Sequence, residues 1–332
     1  MNVRLLKLVA FLAYISGLTS LFYFLNRKAK RIITFHNVIP EKLLPEGKRI
    51  GLVDTDTEFY KIVSEVRKHF AINNNLNDAG SATITFDDGY LNQSEIAGCI
   101  LQKWEVPAII FATGQNLNNS HPDKALVVDL LMHWVHLAPK GEYNLPSELY
   151  NKKIFRLGQD IDETWQEVIW PAFNADRASK GHRLLGLLDA QFAIKDILSK
   201  CDPEYIRLRL GGLMDENIEI LTQKGWAIGW HTFSHYPLSQ LSDKDLKTEI
   251  CDSPSHMQSV IMSYPYGELS SVNSECLKFA EKIYPGAVSN LPDKNQLSCQ
   301  WFLPRYTLSD NKYLLHFELC GLKNFIKTRH LL

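Results

Sequence analysis

Two neighbouring aspartates, Asp87 and Asp88, end a short run of β-branched and aromatic residues. The run at residues 83–86 predicts a buried strand, and Gly89 predicts the turn that ends it. Neighbouring side chains of a strand point to opposite faces, but a bend at the strand end lets both carboxylates face one cavity. One carboxylate can then hold a cation while the other accepts a proton. For this stretch alone, a plain Asp-Asp-Gly turn between two strands is the better interpretation.

A second stretch, residues 231–235, carries two histidines four residues apart. On a single helical turn this spacing places His231 and His235 on one face, where both imidazoles can meet one metal ion. Because Pro237 opposes a long helix, we expect only a short turn. An isolated pair of this kind is more often two surface histidines. Together with one aspartate, however, the pair makes a three-ligand set that leaves a position for water, as catalytic zinc sites do.

These stretches resemble the first two motifs of the polysaccharide deacetylases, the NodB-homology enzymes of carbohydrate esterase family 4. The motifs read Thr85-Phe86-Asp87-Asp88-Gly89 and His231-Thr232-Phe233-Ser234-His235. The third motif is resembled by Ser263-Tyr264-Pro265-Tyr266-Gly267, and residues 34–38 and 303–305 resemble the opening and late strands of one branch. The resemblance runs from about residue 31 to 322, with one long interruption.

The resemblance implies a role for each motif. Asp88, His231 and His235 would hold a divalent metal ion, with Zn2+ as the expected cofactor. Asp87 would be the general base that takes a proton from the attacking water. The backbone N–H of Tyr266 would stabilise the oxyanion, although packing in a Pro-Gly turn explains this aromatic residue nearly as well.

Two functional positions of the family differ in this chain. The third motif often begins with an arginine that orients the base, and here Ser263 stands there. We take Arg305 as the candidate replacement, with a solvated arginine as the alternative. The general acid of the family is a late histidine in a Leu-x-x-His setting, which His316 matches imperfectly. His36 is the competing candidate, although a lone strand histidine is usually a satisfied core residue.

Alternating strand and helix patterns predict an α/β fold from residue 31 to residue 332. Strands are predicted at 32–38, 83–88, 108–112, 226–230, 260–263, 286–288 and 301–306, and helices at 55–70, 94–104, 214–224, 242–251, 273–282 and 313–325. Such alternation builds parallel sheets and barrels, and the resemblance implies a distorted (β/α)7-type, NodB-like barrel. Residues 117–205 interrupt the pattern and are predicted to be a helical insertion. We expect His133 and His136 there to pack within an amphipathic helix rather than to bind metal.

Residues 1–30 form a separate hydrophobic segment. Residues 8–25 are an uncharged, mostly apolar run of 18 residues, at the lower edge of what spans a bilayer. No clear Ala-x-Ala-like cleavage pattern follows the run. A membrane span, a helix in the membrane interface and a helix docked on the protein are all compatible with it, and we favour membrane attachment. The basic residues that follow slightly favour a catalytic domain on the cytoplasmic side.

Charge and cysteine content narrow the function classes. The 332-residue chain has a formal net charge of −1, which argues against a polyanion-binding surface and against nucleic acid as a partner. Its six cysteines show no Cys-x-x-Cys pairing, so we expect buried free thiols rather than a zinc ribbon or a disulfide framework. Scattered free thiols mildly favour a reducing compartment.

The motifs and the resemblance together lead to an expected function. We expect a metal-dependent hydrolase that removes N-acetyl groups from a glycan or a lipid-linked sugar in envelope polysaccharide synthesis or modification. The apolar N-terminus favours a membrane-bound substrate. The alternative is a catalytically inactive carbohydrate-binding protein on the same barrel. A weaker alternative is a membrane-anchored scaffold that binds its partner through residues 117–205.

Overall fold

The structure, a computed structural model, describes residues 3–76, 78–158, 160–268, 270–290 and 300–328. Its strands are β1 (Arg31–Phe35), β2 (Asn37–Ile39), β3 (Val53–Thr55), β4 (Ala82–Asp88), β5 (Ala108–Ala112), β6 (Gly141–Asn144), β7 (Ile154–Leu157), β8 (Ala227–Trp230), β9 (Met262–Ser263), β10 (Ala287–Ser289) and β11 (Leu303–Pro304). Its α-helices are α1 (Val3–Ile15), α2 (Leu18–Leu25), α3 (Asp56–His69), α4 (Gly98–Gln102), α5 (Val127–Leu137), α6 (Ile161–Thr164), α7 (Trp170–Ala175), α8 (His182–Asp189), α9 (Ile194–Leu198), α10 (Pro203–Leu210), α11 (Asp215–Gln223), α12 (Asp243–Cys251), α13 (Ser274–Ile283), α14 (Lys312–Leu319) and α15 (Leu322–Thr328). Two π-helical segments, Gln93–Ala97 and Trp165–Ile169, precede α4 and α7.

Parallel strands form two sheets in the described part of the chain. The first has the order β1-β4-β5-β8 and the second the order β11-β10-β9. Past β11, the Thr34 N–H donates to the Tyr306 carbonyl oxygen (3.0 Å) and the Tyr306 N–H donates to that of Ile32 (2.8 Å), which joins the second sheet to β1. Between β8 and β9 the described residues form no ladder. The prediction of an α/β fold with a parallel sheet is confirmed, and closure into a barrel stays a prediction.

The strand register brings the motifs to one edge of the first sheet. Asp88 at the end of β4 pairs with Ala112 at the end of β5, and Ala112 pairs with Trp230 at the end of β8. His231 directly follows Trp230 and therefore leaves the sheet at the edge where Asp88 lies. The carboxyl ends of parallel strands are where α/β proteins place their ligand sites.

Local sequence signals explain the elements that surround these strands. All seven residues of β4 are buried, as expected for a strand covered on both faces. Helix α3 begins with a capping box, in which Thr55 accepts from the Glu58 N–H (3.2 Å) and the Glu58 carboxylate accepts from the Thr55 N–H (3.0 Å). The predicted helices at 55–70, 214–224, 242–251 and 273–282 are confirmed as α3, α11, α12 and α13. The predicted closing helix at 313–325 is instead broken into α14 and α15 at Gly321, whose φ is 87°.

The segment at 117–205 contains more than helices. Helices α5 to α9 lie within it, but so does an antiparallel hairpin of β6 and β7, which the helical pattern did not predict. Helices α8 and α9 are separated by a short break, where the Asp189 carboxylate accepts from the Ile194 N–H (2.7 Å). His133 is buried and contacts the Tyr205 hydroxyl (3.1 Å), so the packing prediction is confirmed for it. The boundaries of an insertion stay a prediction.

The apolar N-terminus folds as two helices rather than one. Helices α1 and α2 meet at an angle of 80°, and Gly17 between them has a left-handed φ of 79°. No single described helix is long and apolar enough to cross a bilayer. The two bent helices taken together have the length and the apolar composition that a membrane span requires. Ala10 of α1 packs with Phe317 of α14 in a small buried cluster. One face of the pair is therefore docked on the protein, while Leu8 and Leu12 on α1 are 52% and 50% exposed.

The described cysteines are free thiols. Cys201, Cys276 and Cys320 are buried as expected, whereas Cys99 is exposed and Cys251 is half-buried. Cys299 lies outside the described residues.

Candidate active site

The predicted bend at the end of β4 is present. Asp88 has a left-handed φ of 78° and Gly89 one of 76°. A Cβ at Gly89 would lie 2.8 Å from the Ala112 Cβ, so only glycine fits between the two strands. As a result, both carboxylates face one imidazole: His231 Nε2 is 3.9 Å from Asp87 Oδ2 and 3.6 Å from Asp88 Oδ1.

The three predicted metal ligands lie together. His235 Nε2 is 3.2 Å from Asp88 Oδ1, and His231 Nε2 is 3.6 Å from the same oxygen. Around a tetrahedral zinc ion with bonds of about 2.0–2.1 Å, neighbouring ligand atoms are about 3.3–3.4 Å apart. Asp88 Oδ1 is also buried without a hydrogen-bond partner among the described residues. A buried acceptor without a partner, facing two imidazole nitrogens, fits a divalent cation.

The histidines are in the form that binds metal. The Nδ1–H of His231 donates to the Ser263 carbonyl oxygen (2.7 Å), which leaves the Nε2 lone pair facing the aspartates. Burial lowers the pKa of His231 to about 3 and also lowers the pKa of His235, so both rings are neutral near pH 7. Burial raises the pKa of the Asp88 carboxyl to about 7, and a nearby cation would favour its charged form.

The predicted helical turn for the two histidines is wrong. Residues 231–237 are not helical, and Thr232 and His235 have left-handed φ angles of 66° and 55°. Such strained angles in non-glycine residues persist only where surrounding contacts impose them. The loop therefore brings the imidazoles together by a different backbone path from the one that their spacing suggested.

Glu249 of α12 shapes this loop. Its buried carboxylate accepts from the N–H groups of Phe233 and Ser234 (2.8 Å each) and from the Ser234 hydroxyl (2.6 Å). Sequence reasoning missed Glu249. Its signal is an acidic residue on the apolar face of α12, between the buried Leu246 and Ile250.

Arg305 holds the predicted base. Its Nη1 donates to Asp87 Oδ1 (2.7 Å), and its Nη2 donates to Asp87 Oδ2 (2.6 Å) and to the Ser263 hydroxyl (2.9 Å). Arg305 is only 2% exposed, so the alternative of a solvated arginine is wrong. Burial by itself would raise the pKa of Asp87. The positive charge and hydrogen bonds of Arg305 outweigh burial and hold this pKa below its ordinary value.

The structure separates the two candidates for the general acid. His36 Nε2 is 3.7 Å from Asp87 Oδ2, and the ring lines the cavity at the site, so the core interpretation is wrong for it. His316 lies on α14, where its ring contacts Tyr23 and Glu65. The structure therefore does not bring His316 to the site, because α14 packs against the N-terminal helices and α3. His316 is removed from the candidate catalytic residues.

A cavity of about 500 Å³ opens on this cluster. It is lined by His36, Asp88, His235 and Tyr266, and by Trp165 and Trp170 from the segment at 117–205. The Tyr266 ring lies 4.8 Å from the His235 ring and 4.9 Å from the Trp170 ring, between centroids. A larger cavity of about 670 Å³ is lined by residues such as Leu91 and Ile206 and includes none of the predicted site residues. We therefore place the chemistry in the smaller cavity.

A buried ion pair on the cavity wall was not predicted. Asp129 of α5 accepts from Arg209 Nη2 of α10 (2.7 Å) and from the Tyr90 hydroxyl. All three residues line the cavity. Asp129 is an acidic residue inside an apolar helix, a signal that sequence reasoning overlooked, whereas nothing near Arg209 in the sequence pointed to this partner.

Solved deacetylase structures share this fold. No protein-family model matches the sequence, and no curated protein matches it. The deacetylase PplD of Streptococcus pyogenes, solved with acetate, is 14% identical with a TM-score of 0.50, over 86% of this chain and 93% of that one. A polysaccharide deacetylase from Bacillus cereus is 12% identical with a TM-score of 0.50, over 88% of this chain and 68% of that one. For IcaB of Ammonifex degensii, the identity is 11% and the TM-score 0.50, over 88% and 97% of the chains. The chain therefore has the α/β fold of these deacetylases, as the resemblance of its motifs implied.

Proposed function

We propose that this protein is a metal-dependent deacetylase that hydrolyses the N-acetyl group of an acetylated glycan or a lipid-linked sugar. One observation carries the proposal: His231 and His235 converge on a buried oxygen of Asp88 that has no hydrogen-bond partner in the described part of the chain, with the arginine-bound carboxylate of Asp87 beside it. A glycan-binding protein would need no such carboxylate. Similarity to solved deacetylases supports the proposal.

The residues of the site have separate roles in amide hydrolysis. Asp88, His231 and His235 would hold the ion, expected to be Zn2+, which as a Lewis acid polarises the acetyl carbonyl and lowers the pKa of water. Asp87, oriented by Arg305, accepts the proton of the attacking water. The bidentate contact fixes the direction of this base while lowering its basicity.

Hydrolysis also needs a hydrogen-bond donor to the oxyanion and a general acid for the leaving amine. The backbone N–H of Tyr266 is the proposed donor, since this residue lies on the cavity wall beside His235 with a left-handed φ of 62°. The water oxygen bonds to the acetyl carbon, the carbon–nitrogen bond breaks, and the leaving amine takes a proton from His36. The products are acetate and a free amine on the sugar.

The choice of acid leads to a direct prediction. We expect His36→Gln to lower kcat by about 10²–10⁴-fold, because the leaving amine loses its proton donor. His316→Gln should leave kcat within about threefold, since this ring contacts Tyr23 and Glu65 instead. Acetate release at saturating substrate measures both. A large loss in His316→Gln with none in His36→Gln would reverse the assignment.

We also propose that residues 31–332 form one catalytic domain and that the segment at 117–205 is an insertion that shapes substrate binding. It supplies Trp165 and Trp170 to the cavity wall, next to Tyr266. Flat aromatic faces suit the apolar faces of sugar rings. A sugar of an envelope polysaccharide or its lipid-linked precursor fits this lining.

Metal removal tests the function directly. The substrates are chitin oligosaccharides, peptidoglycan fragments and a polyprenyl-linked N-acetyl sugar, and acetate release is measured for each. We expect a chelator to abolish acetate release and Zn2+ to restore it, because three side chains of the site have the donor types of a zinc centre. Asp88→Asn serves as the control that Zn2+ does not restore. Glycan binding without acetate release on any substrate would favour the inactive carbohydrate-binding alternative.

We propose that α1 and α2 attach the protein to a membrane, with the domain on the cytoplasmic side. The outer face of the pair is apolar, and Arg4, Lys7, Arg27 and Lys28 flank it, as in helices that lie in a bilayer interface. Replacing both Leu8 and Leu12 with glutamate should therefore move the protein from co-sedimenting anionic vesicles to the supernatant. Ile220→Glu, at an exposed apolar residue of α11, is the matched control. Unchanged co-sedimentation of the double variant would contradict this attachment.

A further inference from the structure

A second cluster of metal-ligand side chains lies on α3 and α14 and shares no residue with the candidate active site. Glu65 and His69 are four residues apart on α3, and His316 comes from α14. Glu65 Oε1 is 3.4 Å from His69 Nε2 and 3.5 Å from His316 Nε2, and the three ligand atoms lie within 4.8 Å of one another. These separations are long for hydrogen bonds. They are close to the distance of about 3.3–3.4 Å that separates neighbouring ligand atoms around a tetrahedral zinc ion.

Neighbouring side chains orient each of the three candidate ligands. His316 Nδ1 lies 3.0 Å from the Tyr23 hydroxyl, which leaves Nε2 to face Glu65. The Tyr23 ring stacks on His69 with centroids 4.4 Å apart and planes 8° apart. Lys68 Nζ donates to Glu65 Oε2 (2.7 Å), so the other oxygen, Oε1, faces the histidines. Second contacts of this kind set the tautomer and direction of metal ligands in known sites.

Burial also suits the ligand set to a metal ion. His316 is buried, and burial lowers its pKa, so its ring is neutral near pH 7. In the tautomer whose Nδ1–H donates to the Tyr23 hydroxyl, Nε2 has the lone pair that a metal ion requires. The His69 side chain is 32% exposed, so one side of the cluster is open to water. Two imidazoles and one carboxylate are the donors that zinc and related divalent ions take.

We propose that Glu65, His69 and His316 bind a second divalent transition ion of the zinc class, with water in the remaining position. Because Tyr23 lies on α2, the ion connects the N-terminal helix pair to the domain through α3 and α14. The site is structural: it holds the apolar pair at a set place on the protein. The proposal does not depend on the deacetylase reaction.

Metal counting on the full-length protein in detergent tests the site. After dialysis against buffered Zn2+, bound zinc is measured by mass spectrometry. We expect two equivalents for the wild type, one for His69→Gln, one for His235→Gln and none for the double variant. His69 is exposed and its replacement should fold, whereas His316 is buried. His256→Gln, at an exposed histidine away from both clusters, should keep two equivalents.

A second measurement tests the structural role in the His235→Gln background, where only the new site remains. Trypsin cleavage at Arg27 and Lys28, between the helix pair and β1, should slow at least threefold with Zn2+. The same ion should have no effect in the protein that also carries His69→Gln. A single equivalent in the wild type that His69→Gln retains, or two equivalents that persist in both Glu65→Gln and His69→Gln, would overturn the site. Zinc binding without slower cleavage would overturn the structural role.

Discussion

Replacing Asp87 with asparagine should lower acetate release by about 10²–10⁴-fold, the usual contribution of a positioned general base. The amide cannot accept the proton of the attacking water. Its oxygen still accepts from the Arg305 guanidinium, which now contacts Asp87 at 2.6 and 2.7 Å. We therefore expect the protein to stay folded. Acetate release at saturating substrate and zinc content are the two measurements.

Zinc content distinguishes a base from a ligand at this position. We expect Asp87→Asn to retain the ion, because His235 approaches Asp88 and not Asp87. Asp88→Asn should lose both the ion and the activity. Loss of zinc from Asp87→Asn would make Asp87 a ligand. A nearly wild-type rate would move the role of base to His36, whose Nε2 lies 3.7 Å from Asp87 Oδ2.

Replacing Arg305 with methionine should lower the free energy of unfolding by about 3–5 kcal/mol, the cost of breaking a buried ion pair on one side. Both partners are buried, with Asp87 1% exposed and Arg305 2% exposed. Methionine removes the guanidinium and leaves the carboxylate without its charged partner. Urea unfolding of the metal-free protein measures the change. Activity should fall as well, because the base loses the contact that orients it.

A double-mutant cycle separates this pairing from the loss of packing. Asp87→Asn combined with Arg305→Met removes both charges, so its stability loss should be smaller than the sum of the two single losses. Ser263→Ala, which deletes only the hydroxyl contact of Arg305, should cost about 1 kcal/mol. Additive losses in the cycle would show that the two side chains are not coupled.

Elements that depend on near neighbours could be predicted from the sequence. The capping box of Thr55 and Glu58 involves residues three apart, and it begins α3 one residue from the predicted start. Gly89 marked the end of β4, because the turn there requires a residue without a Cβ. The pairing of Asp88 with two histidines was also predicted, since motif order carries that information even without the right local geometry.

Contacts between distant segments were harder to predict. The loop at 231–235 is not helical because Glu249, some fifteen residues later, binds its amide groups. His316 matched a late histidine by spacing, yet packing of α14 on α1 turned it toward Glu65. Asp129 and Arg209 meet across 80 residues without any local pattern.

Residue type and motif order alone thus specified the α/β class, the candidate ligands and the candidate base of this protein. Tertiary packing decided which arginine holds that base, which histidine faces it and where the apolar N-terminus docks. The physical reason is the sequence separation over which each kind of interaction acts. Caps, turns and periodicity act over three or four residues, whereas Asp87 and Arg305 are 218 residues apart and meet only because their sheets join at β1.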